Sequence, residues 1–326
     1  SSDLPLDYIK ASVAYQLEAF DKRFAAFLKS RVLLLDTVTR YIYRKKGKQI
    51  RPLFVFLSAG ACGEITDRTH VAASLIEMLH TATLVHDDVV DDSHMRRGLF
   101  SINALWKNKV AVLTGDFMLS RGMLLALEQR EYGFLEIVSR AVREMSEGEL
   151  LQIEKARRLD ITEAVYFDII RMKTASLIAA CCACGADSAE APEDLRDHLR
   201  QFGEAAGIAF QIKDDLLDYT SGKITGKPGG IDIRDQKLTL PLIHLLRNSP
   251  QNRKRWIINT VKHHNTDPQR VGELMEMVGE GVGLVYAQQR MQEYRDEALT
   301  LIRSLSSSGY RDALEQLVIY TTERQH

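Results

Sequence analysis

The sequence predicts a single all-α domain of ten or more helices, and three observations lead to that prediction. Apolar residues recur three and four positions apart over long stretches, which is the spacing of one face of a helix. We find no convincing run that alternates as a strand would. Prolines are sparse, with none between Pro52 and Pro192. Because we find no short-period repeat and no low-complexity tract, we treat residues 1–326 as one domain.

The helical segments can be placed in order along the chain. Thr66 and Asp67 predict the start of a helix over 68–92, and the segment 160–163 predicts the start of another. The only glycine-rich loop is 221–230, SGKITGKPGG, and a break at 263–268 predicts that the rest of the chain is an appended helical pair. The apolar period is clearest in three sets: Val71, Leu75, Met78, Leu79, Ala82 and Val85; Leu119, Met123 and Leu127; and Phe167, Ile170, Thr174 and Leu177.

Composition narrows the classes of function. The formal net charge is -1, so no broad attraction to nucleic acid or membrane is expected, and an anionic ligand would need local basic clusters. Cys181, Cys182 and Cys184 share one apolar run without the spacing of a metal knuckle, which favours reduced, packed thiols in a cytoplasmic protein. No apolar run reaches the ~18 residues of a membrane span, and the N-terminus lacks a signal-peptide layout.

A first acidic cluster lies in the stretch 80–98, HTATLVHDDVVDDSHMRRG. Asp87 and Asp91 are four positions apart and share a helix face, with Asp88 beside them. Carboxylates packed so closely repel one another and raise each other's pKa. An exposed helix end would tolerate that repulsion, and a lone cluster of this kind is more often surface than site.

A second cluster changes that balance. Residues 211–218, QIKDDLLD, place Asp214 and Asp218 four positions apart, with Asp215 beside the first. Both clusters are flanked by apolar residues, so two helices with facing carboxylates would form a cage for divalent cations. Ligands that are all oxygen favour Mg²⁺ over Zn²⁺, and Mg²⁺ commonly shares its coordination with substrate phosphates. The two clusters therefore predict a magnesium-dependent diphosphate site.

Basic residues stand where a diphosphate would need them, at helix ends and in loops. Any one of them alone is more often a solvated surface residue, but their ordered placement favours phosphate binding. They are the basic residues of KKGKQIRP at 45–52, Arg96 and Arg97 after the first cluster, Lys173 in KTASL, Lys227 in the glycine-rich loop, and Lys237 before TLP.

Taken together, these blocks resemble the trans-isoprenyl diphosphate synthases, a helical family that makes polyprenyl diphosphates. The resemblance covers residues 44–245 and includes GKQIRP, the first acidic stretch, TGD at 114–116, GELLQ at 148–152, KTASL, FQIKDDLLD and GKPGGIDIRDQKLTLP. Lys46 and Gln49 stand where the family often has glycine and arginine, and Gln236 replaces a glycine before TLP. The change at Gln49 bears on one basic contact near the isopentenyl site.

The resemblance implies a helical bundle around a central cavity, a homodimer, and a role for each motif. Ionisation of an allylic primer, farnesyl or geranylgeranyl diphosphate, would leave a cation that isopentenyl diphosphate attacks. Asp87, Asp91 and Asp214 would hold about three Mg²⁺ ions, supported by Asp88 and Asp218. Arg96, Lys173, Gln211, Lys227 and Lys237 would bind the allylic diphosphate, and Thr174 would stabilise the cation; Gly47, Lys48, Arg51, His80 and Arg97 would bind isopentenyl diphosphate.

Four polar residues illustrate how the resemblance is weighed against simpler interpretations. His80 on an apolar helix face would ordinarily be a packed core histidine, but it lies two turns before Asp87 and matches a family position, so we assign it to ligand contact. His86 is interpreted as structural. For Asp116 and Gln152, buried hydrogen bonding is the preferred interpretation.

Small residues before the first cluster predict a long product. Ala82 and Thr83 precede Asp87 by about one turn, where family members with short products tend to carry aromatic residues. A turn rises about 5.4 Å, roughly one isoprene unit, so an open path admits a longer tail. The helix of Met118, Met123 and Leu127 would provide the floor, and we expect products of about C35–C50, centred on octaprenyl. The alternative is that Ala82 and Thr83 merely allow helices to pack.

Three other functions stay open from the sequence. A short-chain farnesyl or geranylgeranyl diphosphate synthase would share every motif. A subunit of a heteromeric synthase generally loses one acidic cluster, whereas both are intact here. A class I terpene cyclase usually carries a second metal motif of Asn, Ser and Glu, and DDLLD occupies that place.

Overall fold

The computed structural model describes residues 4–44, 47–96, 99–158, 160–224 and 230–323, and it is all-α as expected. Within those residues one two-residue antiparallel ladder, Met95–Arg96 with Leu99–Phe100, is the only sheet. A π-helical segment, Arg171–Ala175, joins two helices without a break. The helices are α1 Leu4–Ala11, α2 Ala14–Phe27, α3 Leu33–Arg44, α4 Ile50–Cys62, α5 Asp67–Val90, α6 Ile102–Glu128, α7 Tyr132–Arg158, α8 Glu163–Ile170, α9 Ser176–Ser188, α10 Glu193–Ile224, α11 Ile231–Arg234, α12 Leu240–Asn248, α13 Gln251–His263, α14 Pro268–Glu280, α15 Gly283–Arg303 and α16 Gly309–Glu323.

Both helix starts that the sequence predicts are confirmed by their capping bonds. Before α5, the backbone N–H of Thr66 donates to Thr69 Oγ1 at 3.1 Å, which is half of a capping box. Before α8, Thr162 Oγ1 accepts the backbone N–H of Val165 at 3.3 Å. These bonds satisfy donors that have no partner inside the helix, so both helices begin at defined residues.

Close packing through glycine sets the position of the π-helical segment. A Cβ on Gly207 of α10 would lie 2.6 Å from Ala175 Cα, and one on Gly148 of α7 would lie 2.9 Å from Met172 Cβ. Both distances are too short for a real side chain, so only glycine allows α7 and α10 to approach from either side. This contact brings Lys173 and Thr174 to the second acidic cluster, which begins two turns after Gly207.

The C-terminal region differs from the sequence-based expectation of an appended pair of helices. Three helices, α14, α15 and α16, follow residue 265. Ile302 of α15 and Leu317 of α16 are fully buried in the same core as Leu75 of α5. The first half of α15 belongs to a second core with the end of α10, where Ala287 and Met291 are buried. The C-terminal helices therefore help to hold α10 in place.

The three cysteines of the apolar run lie in the protein core. Cys181, Cys182 and Cys184 are buried and free, as the sequence predicts, and burial raises the pKa of Cys182 to about 12.

Two stretches, Ile102–Glu128 and Glu163–Ser188, are long and apolar enough to cross a membrane by length and composition alone. The second stretch is 72% buried inside the protein, and the first is only 39% buried. The first therefore has an apolar face that the single chain does not cover.

Candidate active site

A first cavity of the site is a cleft with about 870 Å³ of open space between the start of α4 and the last turns of α5. Gly47 and Arg51 line it, facing Glu77 and Asp88. Arg51 Nε donates to Glu77 Oε2 at 3.2 Å, which holds the guanidinium against the wall of the cleft. Since a guanidinium carries five N–H donors, its remaining ones suit an oxyanion bound in the cleft.

The first acidic cluster stands at the end of α5, beside this cleft. Asp88 is 4% exposed, and its backbone carbonyl accepts bonds from Asn103 Nδ2 at 3.1 Å and from the N–H of Ser93 at 2.9 Å. Asp91 is exposed just beyond the helix, and its N–H still bonds to the carbonyl of Asp87 at 2.8 Å. Helical geometry therefore continues through the cluster, and Asp87 and Asp91 keep the shared face that their spacing predicts.

The second cavity has about 570 Å³ of open space and gathers the motifs of α7, α8, the π-helical segment, α10 and the segment around α11. Its polar lining is Gln152, Tyr166, Lys173, Thr174, Gln211, Asp215, Asp232, Lys237 and Thr239. Ile161, Ile169, Ile170 and Leu238 form the apolar remainder of its wall. A cavity with lysines, carboxylates and a dry wall suits the handling of a reactive cation, because it keeps water away.

Four hydrogen bonds order this cavity. Tyr166 Oη donates to Asp215 Oδ2 at 2.6 Å, and Gln211 Nε2 donates to Asp215 Oδ1 at 2.9 Å. Thr174 Oγ1 donates to Gln211 Oε1 at 2.7 Å. Lys173 Nζ donates to Gln152 Oε1 at 3.3 Å and also forms an ion pair with Glu149. Gln152 is thus hydrogen-bonded, as its preferred interpretation requires, but it is half-buried and not fully buried.

Asp218 acts on the short helix α11. Its two carboxylate oxygens accept the backbone N–H groups of Ile231 and Asp232, each at 3.1 Å. The bonds fasten α11 to α10 and so set the positions of Asp232 and Lys237. Gln236 between them has φ of 58°, a left-handed conformation that costs a non-glycine residue roughly 1–2 kcal/mol. Because glycine adopts positive φ without this cost, the family that the sequence resembles often has glycine at this position.

Burial and crowded charge perturb the carboxylates of the second cavity. Burial and the nearby charge of Asp232 raise the pKa of Asp215 to about 7. Burial and the charge of Asp218 raise the pKa of Asp232 to about 6. Burial and the charge of Asp215 raise the pKa of Tyr166 well above its ordinary value, so this hydroxyl keeps its proton and donates a hydrogen bond to Asp215. Clustered carboxylates with raised pKa values are groups that a bound cation would stabilise in the charged form.

Lys237 connects the two clusters electrostatically. Burial lowers its pKa, but the carboxylates of Asp235, Asp232 and Asp91 outweigh burial, and the pKa of Lys237 is raised. Lys237 Nζ lies 3.1 Å from Asp235 Oδ2 and 3.9 Å from Asp232 Oδ1. Because Asp91 belongs to the first cluster, its effect on Lys237 places the end of α5 within electrostatic reach of the second cavity.

The donor set fits a magnesium site that substrate completes. In the part of the chain that the structure describes, no three acidic, histidine or cysteine side chains are spaced to hold a metal ion by themselves. Mg²⁺ is commonly bound by one or two carboxylates, with waters and phosphate oxygens supplying the rest. Asp87 and Asp91 of the first cluster and Asp214 of the second are carboxylates that could share such ions.

Several sequence-predicted residues lie elsewhere. Lys48 is not in the lining of the first cleft, since its Nζ bonds to Tyr320 Oη at 2.8 Å, and His80 does not line that cleft either. Asp116 is not buried, because its side chain is 59% exposed, and it faces His86 Nε2 at 3.5 Å. Met123 is 39% exposed. Arg97 and Lys227 and the side chain of Arg96 lie outside the described residues.

Sequence reasoning missed three residues of the site. Tyr166 lies two turns before Thr174, and only its contact with Asp215 reveals it. Asp232 stands in the GGIDIRDQK block but lies 18 positions from Asp214, beyond any local pattern. Glu77, one turn before Thr81 on α5, pairs with Arg51 across the first cleft. Of these, only Asp232 had a signal in the sequence, as an unassigned acid within a recognised block.

The structure shows an all-α chain with carboxylates and lysines gathered around the second cavity, and similarity to known proteins identifies its family. A family model described as polyprenyl synthetase matches residues 32–278. The chain therefore belongs to the polyprenyl synthetase family, and it is a prenyltransferase.

Two curated relatives and one solved structure match this chain over nearly their whole length. The all-trans-nonaprenyl-diphosphate synthase (geranyl-diphosphate specific) of Rhodobacter capsulatus is 38% identical over 319 residues, covering 97% of each protein. The octaprenyl diphosphate synthase of Escherichia coli (strain K12) is 34% identical, covering 98% of this chain and 99% of that protein. A polyprenyl synthase from Caulobacter crescentus CB15, solved with calcium and isoprenyl diphosphate, has a TM-score of 0.91 at 30% identity, with 98% of each chain covered.

Proposed function

We propose that the chain is a Mg²⁺-dependent synthase that adds isopentenyl diphosphate repeatedly to an allylic primer and makes all-trans products of about C35–C50, centred on octaprenyl. The observation that carries this proposal is the second cavity, where Lys173, Thr174, Gln211 and Lys237 surround Asp215 within electrostatic reach of Asp91. The named relatives with long products and the relative solved with calcium and isoprenyl diphosphate support it.

The allylic diphosphate would lie between the two acidic clusters. Asp87 and Asp91 from α5 and Asp214 from α10 would hold about three Mg²⁺ ions, which supply charge neutralisation on the leaving diphosphate when bound. Asp88 would support the first set. Asp218 would act through α11, because both of its oxygens are engaged by backbone N–H groups.

The chain's own residues bind and orient the reacting groups. Lys173 and Lys237 would bind the departing diphosphate as fixed positive charges, and Thr174 and Gln211 would face the allylic carbon as its bond to oxygen breaks. The apolar wall of Ile169, Ile170 and Leu238 would exclude water from the cation. Arg51 and Gly47 would hold isopentenyl diphosphate in the first cleft.

The growing tail would run along α5, away from the acidic cluster. Thr83 is half-buried and Ala82 is 1% exposed, so both are small residues directed away from open solvent. On α6, Met118 is fully buried and could close the path inside one protomer, whereas Met123 and Leu127 lie on the exposed face. Met123 could therefore line a tail path only if a second copy covered that face.

A homodimer would cover the apolar face of α6. Val112, Leu113, Met123, Leu124 and Leu127 are 39–57% exposed in the single chain and recur at helical spacing. Exposed apolar patches of this kind mark interfaces, and pairing of the same face from two copies would give a two-fold dimer. The buried free cysteines favour a reducing compartment such as the cytoplasm.

One experiment tests the proposed reaction and its competitors. The purified chain would be incubated with Mg²⁺, isopentenyl diphosphate and geranyl, farnesyl or geranylgeranyl diphosphate, and the products separated by chain length. We expect linear products of about C35–C50 that disappear on chelation of Mg²⁺. Products no longer than about C20 would identify a short-chain synthase, cyclic hydrocarbons a cyclase, and no product from the chain alone a subunit of a heteromeric enzyme.

A further inference from the structure

A continuous chain of hydrogen bonds runs from the protein core into the second cavity. It starts at Tyr166, which is 4% exposed, passes through Asp215, 6% exposed, and reaches Gln211 and Thr174. The three donor–acceptor distances are 2.6, 2.9 and 2.7 Å, all within the range of good hydrogen bonds. The proposed reaction uses Thr174 and Gln211 at the open end of this chain but leaves Tyr166 at the closed end without a role.

The partners settle the direction of every bond. In its ionised form, Asp215 accepts on both of its oxygens, as a carboxylate does. Gln211 must therefore turn its amide nitrogen towards Asp215, which leaves its carbonyl oxygen for Thr174. The hydroxyl of Thr174 has a single hydrogen and donates it to that carbonyl. What Thr174 can present to the cavity is consequently its oxygen lone pairs and no hydrogen.

We propose that Tyr166 and Asp215 are positioning residues that orient the amide of Gln211, so that Thr174 turns lone pairs towards the allylic carbon. The inference rests on the proposed function. When the bond between carbon and diphosphate oxygen breaks, the electron pair leaves with the diphosphate and the carbon becomes cationic. Thr174 forms no bond with that carbon. Its oriented dipole stabilises the charge, because preorganised dipoles need no rearrangement as charge develops.

Loss of the tyrosine hydroxyl should disturb this orientation. Oδ2 of Asp215 would lose the donor that faces it, and the carboxylate could rotate away from Gln211. The two orientations of the Gln211 amide would then differ less in free energy, since one charge-assisted hydrogen bond no longer holds the acceptor in place. In the reversed orientation the amide nitrogen would donate to Thr174, and the threonine hydrogen would turn towards the developing cation.

The first test compares two buried tyrosines. Tyr166→Phe removes the first donor of the chain, and Tyr219→Phe is its matched control. Tyr219 is also buried, and its Oη pairs with Thr239 Oγ1 at 2.7 Å instead of with Asp215. We expect Tyr166→Phe to lower kcat about 20-fold while both KM values stay within about twofold. We expect Tyr219→Phe to leave kcat within about twofold, with similar thermal unfolding midpoints for the two variants.

A double-mutant cycle distinguishes an effect of Tyr166 that acts through Thr174 from a general disturbance of the structure. In a Thr174→Val background the oriented oxygen is absent, so adding Tyr166→Phe should lower kcat by less than about twofold further. In a Thr174→Ser background, which keeps the hydroxyl, adding Tyr166→Phe should again cost about 20-fold.

Three results would overturn the inference: additive effects in the valine background, equal losses of kcat in the two tyrosine variants, or a rise in KM with kcat unchanged. Each of them assumes that the wild-type chain makes polyprenyl diphosphate in the same assay. Failure of the wild type would instead contradict the proposed function, so the two failures are distinguishable.

Discussion

The two acidic clusters have the same spacing in the sequence but occupy different settings. Asp87, Asp88 and Asp91 stand at the C-terminal end of α5, where the helix presents its negative pole and Asp91 is exposed. Asp214, Asp215 and Asp218 lie in the body of the 32-residue helix α10. Aspartates at a helix C-terminus are disfavoured by the helix dipole, so the first cluster carries an electrostatic cost that a bound cation would offset.

The second cluster is held by Gln211 of its own helix and by neighbours from two other elements, α8 and α11. Tyr166 and Gln211 bond to Asp215, and Asp218 accepts two backbone N–H groups of α11. The difference shows that one motif can do two jobs. The first cluster includes an exposed carboxylate, Asp91, at a helix end, and the second belongs to a hydrogen-bonded frame beside the second cavity.

The largest expected effect is loss of a proposed metal ligand from either cluster. Asp87→Asn and Asp214→Asn should each lower kcat about 10³-fold, about 4 kcal/mol, because each removes a charge that holds ions on the leaving diphosphate. Steady-state rates at saturating Mg²⁺ measure this. Asp92→Asn is the matched control, since Asp92 is exposed and its φ of 47° takes it off the helical face that Asp87 and Asp91 share. A loss confined to one cluster would contradict a shared diphosphate.

Variants of the last aspartates of the two clusters, Asp91 and Asp218, should separate the two proposed roles. Asp218→Ala removes both bonds to α11 and should raise the KM of the allylic diphosphate about 30-fold by displacing Lys237, with little change in the Mg²⁺ concentration needed for activity. Asp91→Ala should instead raise that Mg²⁺ requirement. Titrations of Mg²⁺ and of primer on both variants distinguish these outcomes, and equal shifts in both variants would show that the clusters act alike.

Stability of the metal-free protein should depend on pH through Asp215. Its folded pKa of about 7 exceeds the ordinary value of 3.8, so the folded state holds a proton that the unfolded state releases. Stability from this group is therefore full below about pH 4 and is lost as pH rises towards 7. At pH 8, Asp215→Asn should be more stable than wild type by about 2–4 kcal/mol, with little difference near pH 4.

Denaturant unfolding in chelator at several pH values measures this difference. Addition of Mg²⁺ with inorganic diphosphate should reduce it, since bound cations favour the ionised carboxylate. If the wild type and Asp215→Asn were equally stable at pH 8 without metal, ionisation of Asp215 would not cost the folded protein free energy.

Substitutions of the small residues before the first cluster should have the smallest effect on rate but should clearly change the chain length of the product. Ala82→Phe and Thr83→Phe should shorten products to about C15–C20, with kcat for the first condensation within about threefold. Thr83 is the safer position, because Ala82 is 1% exposed and overpacking there costs about 1–3 kcal/mol.

The counterpart of Thr83 on α10 is Phe210, four positions before Asp214. Phe210→Ala should leave product length unchanged if the tail follows α5 alone. Chromatography of the products of the three variants measures the chain length. Long products from Thr83→Phe would show that the product tail does not run along this face of α5.

Much of the fold and part of the site could be predicted from local patterns. The period of Leu75, Leu79 and Ala82 and the start at Thr66 were sufficient to predict α5, because a helix repeats every 3.6 residues and needs a cap. Placement of the C-terminal helices was wrong. Burial of Leu317 against the central core depends on contacts far away in the chain, and no local break reports them.

Site residues divide in the same way. The shared face of Asp87 and Asp91, and of Asp214 and Asp218, follows from their spacing, and so does the neighbourhood of Lys173 and Thr174. The exposure of Asp116 and Met123 and the turn of Lys48 towards Tyr320 do not follow from spacing, because a side chain's surroundings are made by other helices.

The amino-acid order alone established that this protein is helical, that it carries two carboxylate clusters, and that basic residues accompany them, since these features depend on neighbours within one or two turns. Packing was needed to join Tyr166, Asp215, Gln211 and Thr174 into one oriented chain and to bring Lys237 under the influence of Asp91. The reason is physical: close contacts such as Gly207 against Ala175 set the separation of helices, and that separation decides which distant side chains meet.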